Sequence, residues 1–259
     1  MSKPAALVLA GTRPGGDPFA QELGVAHKAL IELEARTLLE RVITSLRHAG
    51  IERIAVSCDE GEVARIARRE GAEVIQPGRG PSASVAAAFD ALGAPMLVTT
   101  SDHALLQPEW VREIVEGTRE DSDIAVMLAE RSRVEEAMPG SKRTYLRFAD
   151  GQWSGCNLFY LRTPDARKAI ETWSMVEADR KRPWRIAARL GLVTLLSMVL
   201  GRLTLAEGLA RLGRRIGVRA HLVPASNGLA AVDIDKKADL EAVERLLASR
   251  NEGTFPSAN

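Results

Sequence analysis

The chain has 259 residues, 35 of them basic and 34 acidic, for a formal net charge of +1. Apolar residues make up 46% and charged residues 27%, a globular balance that excludes disorder and offers no whole-chain charge to draw a nucleic acid. Five Phe, four Trp and two Tyr leave the core to Leu, Val, Ile and Ala, which argues against an aromatic-rich β-sandwich and a base-stacking surface.

Residues 5–10 are a continuous apolar run before Gly11, the pattern of a strand buried on both faces rather than of a signal peptide. Residues 11–27 read as a long Gly/Pro-rich loop. Leu38, Leu39, Val42, Ile43 and Leu46 then recur at helical spacing, with Gly50 placed to end the helix. Further strands are predicted at 53–57, 72–75, 95–100 and 124–129. Helices are predicted at 62–70, 82–92 and from Pro108, a residue favoured in a first turn.

Strands alternating with helices every 20–25 residues or so predict a mostly parallel sheet covered on both faces, a three-layer α/β/α Rossmann-like fold. After residue 140 the rhythm changes. Strands at 145–148 and 157–161 flank an Asp150-Gly151 turn, and 164–217 read as helical. Short strands follow at 218–223 and 231–234, then a helix over 236–248 that turns Leu240, Val243, Leu246 and Leu247 inward. The organisation expected is one domain over 1–251, a helical insertion at 164–217 near the C-terminus, and a frayed tail at 252–259. Residues 190–200 are the longest apolar stretch, well short of the roughly 20 residues of a membrane span.

Cys58 and Cys156 lack the neighbours a zinc site needs, and free thiols suit a reducing cytoplasm. In an open α/β sheet, ligands bind beyond the carboxyl ends of the strands. The loop there, Leu9-Ala10-Gly11-Thr12-Arg13-Pro14-Gly15-Gly16-Asp17-Pro18, can cradle phosphates through its glycine N–H groups. It is neither a P-loop nor a GxGxxG fingerprint, because Asp17-Pro18 stands where Lys-Ser/Thr belongs. His103, beside a turn, reads as structural more readily than as a substrate contact.

The strand, the LAG, the glycine loop with Arg13, then His27-Lys28-Ala29-Leu30 and the Leu38-Leu39-Glu40-Arg41-Val42 helix together resemble the MobA-like nucleotidyltransferases, which have a glycosyltransferase-A-like fold. Thr12 replaces the second glycine of the family's opening, and His27 replaces the acid before the lysine. The resemblance implies an Mg2+-dependent transfer of NMP from an NTP to a small phosphorylated acceptor. Leu9, Ala10, Gly11, Thr12, Gly15 and Gly16 would cradle the nucleotide, while Arg13 and Lys28 would hold its phosphates. Asp102, ending Leu97-Val98-Thr99-Thr100-Ser101, matches the family's metal-binding acid, and Asp233 and Asp235 lie in a closing D-x-D-x-x-x-D-L element. Asp235 could equally cap the last helix. Pro81, Ser82 and Ser84 fall where the family reads the base, Ser82 doubling as a helix cap, and Gly155 and Asn157 fall on the acceptor side.

Residues 180–219 contain ten basic side chains opposed only by Glu207, a local +9 that leaves the rest of the chain at −8. Trp184 and neighbouring aliphatics beside these arginines open an interfacial-helix reading, with peripheral contact at an anionic membrane on the inner face. The alternative is a helical hairpin packed on the sheet with a solvated arginine face. A nucleic-acid partner is not expected, and a homodimer is left open. Glycosyl transfer from a nucleotide sugar and a non-catalytic nucleotide-binding scaffold are the competing functions. The first lacks its D-x-D motif at residues 101–103.

Overall fold

Strand β1 (Ala5–Leu9) lies at the centre of the sheet, pairing in parallel with β4 (Ile54–Ser57) on one side and β6 (Met96–Thr100) on the other. The computed structural model describes residues 3–12, 15–141, 143–179, 191, 196–197, 200 and 202–252. Beyond β4 lies β5 (Glu73–Ile75), and beyond β6 lie β9 (Gly151–Leu161), β7 (Ile124–Glu130) and β10 (Ala220–Pro224). An eighth strand, β8 (Leu146–Phe148), pairs only with β9, and β2 (Glu32–Leu33) with β3 (Arg36–Thr37) forms a separate two-stranded ribbon. Strand β9 runs antiparallel to both neighbours, so its N-terminal half reaches the edge where β6 and β7 end.

Alternating side chains of β1 feed two cores. Ala6 and Val8 face a layer with α2 (Leu38–His48), α3 (Glu62–Arg69), α5 (Pro108–Gly117) and the last helix, α9 (Lys237–Glu252). Leu7 faces α4 (Pro81–Leu92) and α7 (Arg167–Ala178) across the sheet. The three-layer α/β/α architecture follows, as the spacing predicts. On α2, the predicted stripe of Leu38, Leu39, Val42, Ile43 and Leu46 is fully buried, and each such side chain contributes about 1.5–3 kcal/mol by leaving water. A Thr37–Glu40 capping box starts that helix.

Several features depart from the sequence expectations, the β2–β3 ribbon among them. The loop 11–27 contains a short helix, α1 (Pro18–Glu22), because Asp17 accepts the N–H groups of Phe19 and Ala20 and Pro18 fills the first turn. A further helix, α6 (Arg131–Ala137), follows β7 directly. Strand β9 begins at Gly151 rather than 157, paired with β8 from its first residue. Residues 231–234 form no strand: a 3-10 turn at Gly228–Ala231 leads into buried extended chain, whose Ile234 N–H donates to the Asp102 carbonyl at 3.1 Å. Apolar alternation there reflects burial without a sheet partner. In the region read as helical, α7 and α8 (Leu205–Ile216) are described, and most of 180–201 lies outside the described residues, as does 253–259.

Candidate active site

The site assembles at the carboxyl edge of β1, β4 and β6. The ladder continues past β1, with Ala10 N–H donating to Ser57 O at 2.9 Å and Ser101 N–H to Leu9 O at 3.0 Å, which seats residues 9–12 beside the turn at 101–103. Gly11 and Thr12 are exposed. Gly15 and Gly16 both have positive φ, +92° and +81°, and a Cβ on Gly16 would meet the Gln21 amide at 2.6 Å. Two consecutive left-handed residues turn the chain into the Asp17-capped helix, a shape closed to other residues. Arg13 lies outside the described residues.

Lys28 opens a 3-10 turn capped by its neighbour. The His27 Nδ1 accepts the Ala29 N–H at 2.9 Å, and its Nε2 faces Gly11 O at 3.5 Å. Burial lowers the His27 pKa, so at neutral pH the ring is an uncharged brace between the glycine loop and the lysine turn. His27 thus supplies the cap that an acidic residue before the lysine could supply.

The Lys28 ammonium donates to Asp102 Oδ2 at 2.8 Å and Asp235 Oδ1 at 2.7 Å, and Asp17 Oδ2 lies 3.9 Å away. Burial alone would lower its pKa, but the Asp102 carboxylate, then Asp235, outweigh that and hold it above the ordinary lysine value. Burial likewise pushes Asp102 upward, and Lys28 together with the Thr100 hydroxyl (2.5 Å from Oδ1) reverses this and depresses it. Lys28 and Asp102 therefore both stay ionised. Asp235 is brought there by the Ile234–Asp102 main-chain bond, and its own N–H donates to Asp239 Oδ2 at 3.2 Å.

Asp233 points elsewhere. Its carboxylate pairs with Arg143 and accepts Asn157 Nδ2 at 2.8 Å, while burial raises its pKa. Asn157 has φ +48°, within the register shift that opposes Val126–Leu128 of β7 to a longer stretch of β9. Such a bulge bends the strand and re-aims a side chain. Gly155, just before it, is exposed, with nothing near a would-be Cβ.

On the other flank, Pro77 lies against Gly11, 3.6 Å from where its Cβ would be. Ser84 Oγ accepts the Gly78 N–H at 2.9 Å, and both Ser82 and Ser84 are buried. The cap of α4 is Gly80, not Ser82. The acceptor at this helix start is Glu177 of α7, which takes the Ser82 N–H at 3.2 Å and also pairs with its hydroxyl. Pro81 is left exposed. Glu177 and Arg143 had no signal in the sequence, since their partners lie 95 and 90 residues away.

His103 is buried, stacks on Trp110 with ring centroids 6.2 Å apart, and lies 3.3 Å from Thr99 Oγ1. Burial depresses its pKa to about 4. It is a core histidine. Both cysteines are free and buried, with burial pushing the Cys58 thiol up to about 11.

A glycine loop and a Lys–Asp cluster thus meet at the carboxyl edge of a three-layer sheet, the place where open α/β folds bind their ligands. The chain belongs to the MobA-like NTP transferase family, whose domain model matches residues 6–221, and it is a nucleotidyltransferase. Among solved structures, a hypothetical transferase from Thermus thermophilus is 31% identical, covering 92% of this chain and 100% of that one with a TM-score of 0.79. CMP:2-keto-3-deoxy-manno-octonic acid synthetase complexed with CTP is 16% identical, covering 96% and 100% with a TM-score of 0.61. The 2-C-methyl-D-erythritol 4-phosphate cytidylyltransferase from Thermus thermophilus is also 16% identical, covering 96% and 100% with a TM-score of 0.54. These last two share the fold. None of the curated proteins compared matches the chain.

Proposed function

We propose that the enzyme transfers NMP from an NTP to a small phosphorylated acceptor (a sugar phosphate, a phospho-alcohol or a cofactor precursor) and releases pyrophosphate. The observation that carries this is the Lys28 ammonium, fixed between Asp102 and Asp235 beside the glycine loop. An acceptor phosphate oxygen attacks the α-phosphorus in line. The new P–O bond forms as the bond to the β-phosphate bridging oxygen breaks, and its electron pair leaves with pyrophosphate. Positioning and charge neutralisation carry most of such a reaction. Lys28 and Arg13 hold the triphosphate, residues 9–12 with Gly15 and Gly16 offer it main-chain groups, and Gly155 and Asn157 line the acceptor side. The base lies against Pro81 and the main chain of residues 78–81, with Ser82 and Ser84 holding that segment from inside.

Two hard carboxylate oxygens converging on one nitrogen suit Mg2+, which takes one or two carboxylates and completes its shell with phosphate oxygens. Among the described residues no group of three or more His, Cys, Asp or Glu is placed to hold a metal by itself. We therefore assign Asp102 and Asp235 to the cation, with Asp233, engaged by Arg143 and Asn157, bracing the acceptor side. When bound, the ion would neutralise phosphate charge as a Lewis acid.

In this reading the protein works in the cytoplasm, where free thiols persist, and the basic segment 180–219 meets an anionic acceptor or membrane surface. Among the described residues no helix is long and apolar enough to cross a membrane. Lys28→Ala and Asp102→Ala are each expected to lower pyrophosphate release about a hundredfold or more, with thermal melts showing an intact fold. Wild-type turnover by either folded variant contradicts the assignment.

A further inference from the structure

Asp102 and Asp235 each spend one carboxylate oxygen on the Lys28 nitrogen, at 2.8 and 2.7 Å, and Asp17 stands 3.9 Å from the same nitrogen. The ammonium therefore already occupies the point of convergence that a divalent cation would need. A cation bound to the same two oxygens would sit in contact with a positive charge, in surroundings where the Lys28 and Asp102 side chains are only 15% and 16% exposed and water screens little. The Asp235 side chain is 60% exposed, so the seat is open to solvent on that side. Contacts other than Lys28 hold the Asp102 carboxylate, through the Thr100 hydroxyl, and the Asp235 main chain, through the Asp239 carboxylate and the neighbouring Ile234–Asp102 bond.

We propose that Lys28 is an exchangeable placeholder: it fills the Asp102–Asp235 cation seat in the nucleotide-free enzyme and vacates it only when triphosphate oxygens accept its ammonium. This rests on the assignment of those two acids to the cation and adds an order to their use. Nucleotide draws Lys28 off the carboxylates, and the two freed oxygens then take the divalent ion. Metal and nucleotide binding are thereby coupled, each tightening the other by the same factor. With its acids neutralised by Lys28, the nucleotide-free enzyme does not collect divalent ions at this seat.

The test is a titration with Mn2+ followed by electron paramagnetic resonance on the full chain without nucleotide. Lys28→Met, which keeps length and loses charge, is expected to bind one Mn2+ at least about tenfold more tightly than wild type. Adding Asp102→Asn to Lys28→Met should abolish that gain. Lys28→Gln serves as a second neutral variant if Lys28→Met does not fold. Equal or weaker Mn2+ binding by a folded neutral variant overturns the placeholder role. So does wild-type protein that binds one Mn2+ at Asp102 equally well with and without a non-hydrolysable NTP analogue. The underlying assignment is judged separately: if Asp102→Asn leaves Mn2+ affinity of the nucleotide complex unchanged, the cation seat itself is misplaced.

Discussion

A lysine among three acids would be an unremarkable surface cluster were it exposed, but Lys28 and Asp102 are nearly enclosed and reached from backbone that cannot drift. In the proposed role what matters is a compact ammonium that can move between the two carboxylates and the triphosphate oxygens. Arginine carries the same charge in a planar fork, which cannot occupy the same point. Lys28→Arg is accordingly expected to release pyrophosphate at a rate nearer Lys28→Ala than wild type, and full rescue by arginine would mean that charge without placement suffices. Lys28, Asp102 and Asp235 were singled out in the sequence by the resemblance to the family's motifs, Asp102 also as the acid that ends a buried strand, and the fold brings the three into contact. Glu177, Arg143 and the capping role of His27 were not, since they depend on folded contacts that no local pattern encodes.

At the scale of elements, the strand rhythm of the first 130 residues was readable because strands buried on both faces are short apolar runs, set apart by helices of which several end at a glycine, such as Gly50, Gly71 and Gly93. Val232, Asp233, Ile234 and Asp235 alternate apolar and polar side chains as a strand would, yet the Ile234 N–H pairs with the turn at Asp102, so burial and strand pairing cannot be separated by pattern alone. Strand β10 is anchored by a contact equally hidden in the sequence. Asp123 accepts the Arg219 N–H at 2.8 Å and its guanidinium at 3.0 Å, and takes the Thr163 hydroxyl at 2.9 Å. The Arg219 side chain, with these other donors, holds the Asp123 carboxyl at about 2, below its ordinary value. A depressed pKa means the contact stabilises the fold above the ordinary carboxylate range and is lost as pH falls toward 2. Asp123→Asn is expected to cost about 2 kcal/mol, or about 5 °C in Tm near pH 7. That difference should shrink as pH is lowered from 4 toward 2, and a gap independent of pH would show that Asp123 does not act through its charge.

For the whole molecule, the net +1 is a cancellation between a body of −8 and the +9 of residues 180–219. The carboxyl edge of the sheet combines acids with a lysine, whereas Arg202, Arg211 and Arg214 are exposed on or near α8, a separate place in the fold. In the proposed reading the two serve different ends: one would handle phosphates in the reaction, the other would offer charge to an anionic surface. Flotation with liposomes containing anionic lipid should carry the protein upward at low salt and release it at high salt. No association at low salt removes the membrane proposal and leaves the enzymatic one untouched. The central claim, nucleotidyl transfer to a phosphorylated acceptor, is tested most directly by pyrophosphate release with each of four NTPs against a panel of sugar phosphates, phospho-alcohols and cofactor precursors, with Mg2+ and with chelator. The expected result is release with one NTP that requires both a phosphorylated acceptor and the divalent ion. Release of pyrophosphate that is indifferent to the acceptor, or none with any pair, would contradict it.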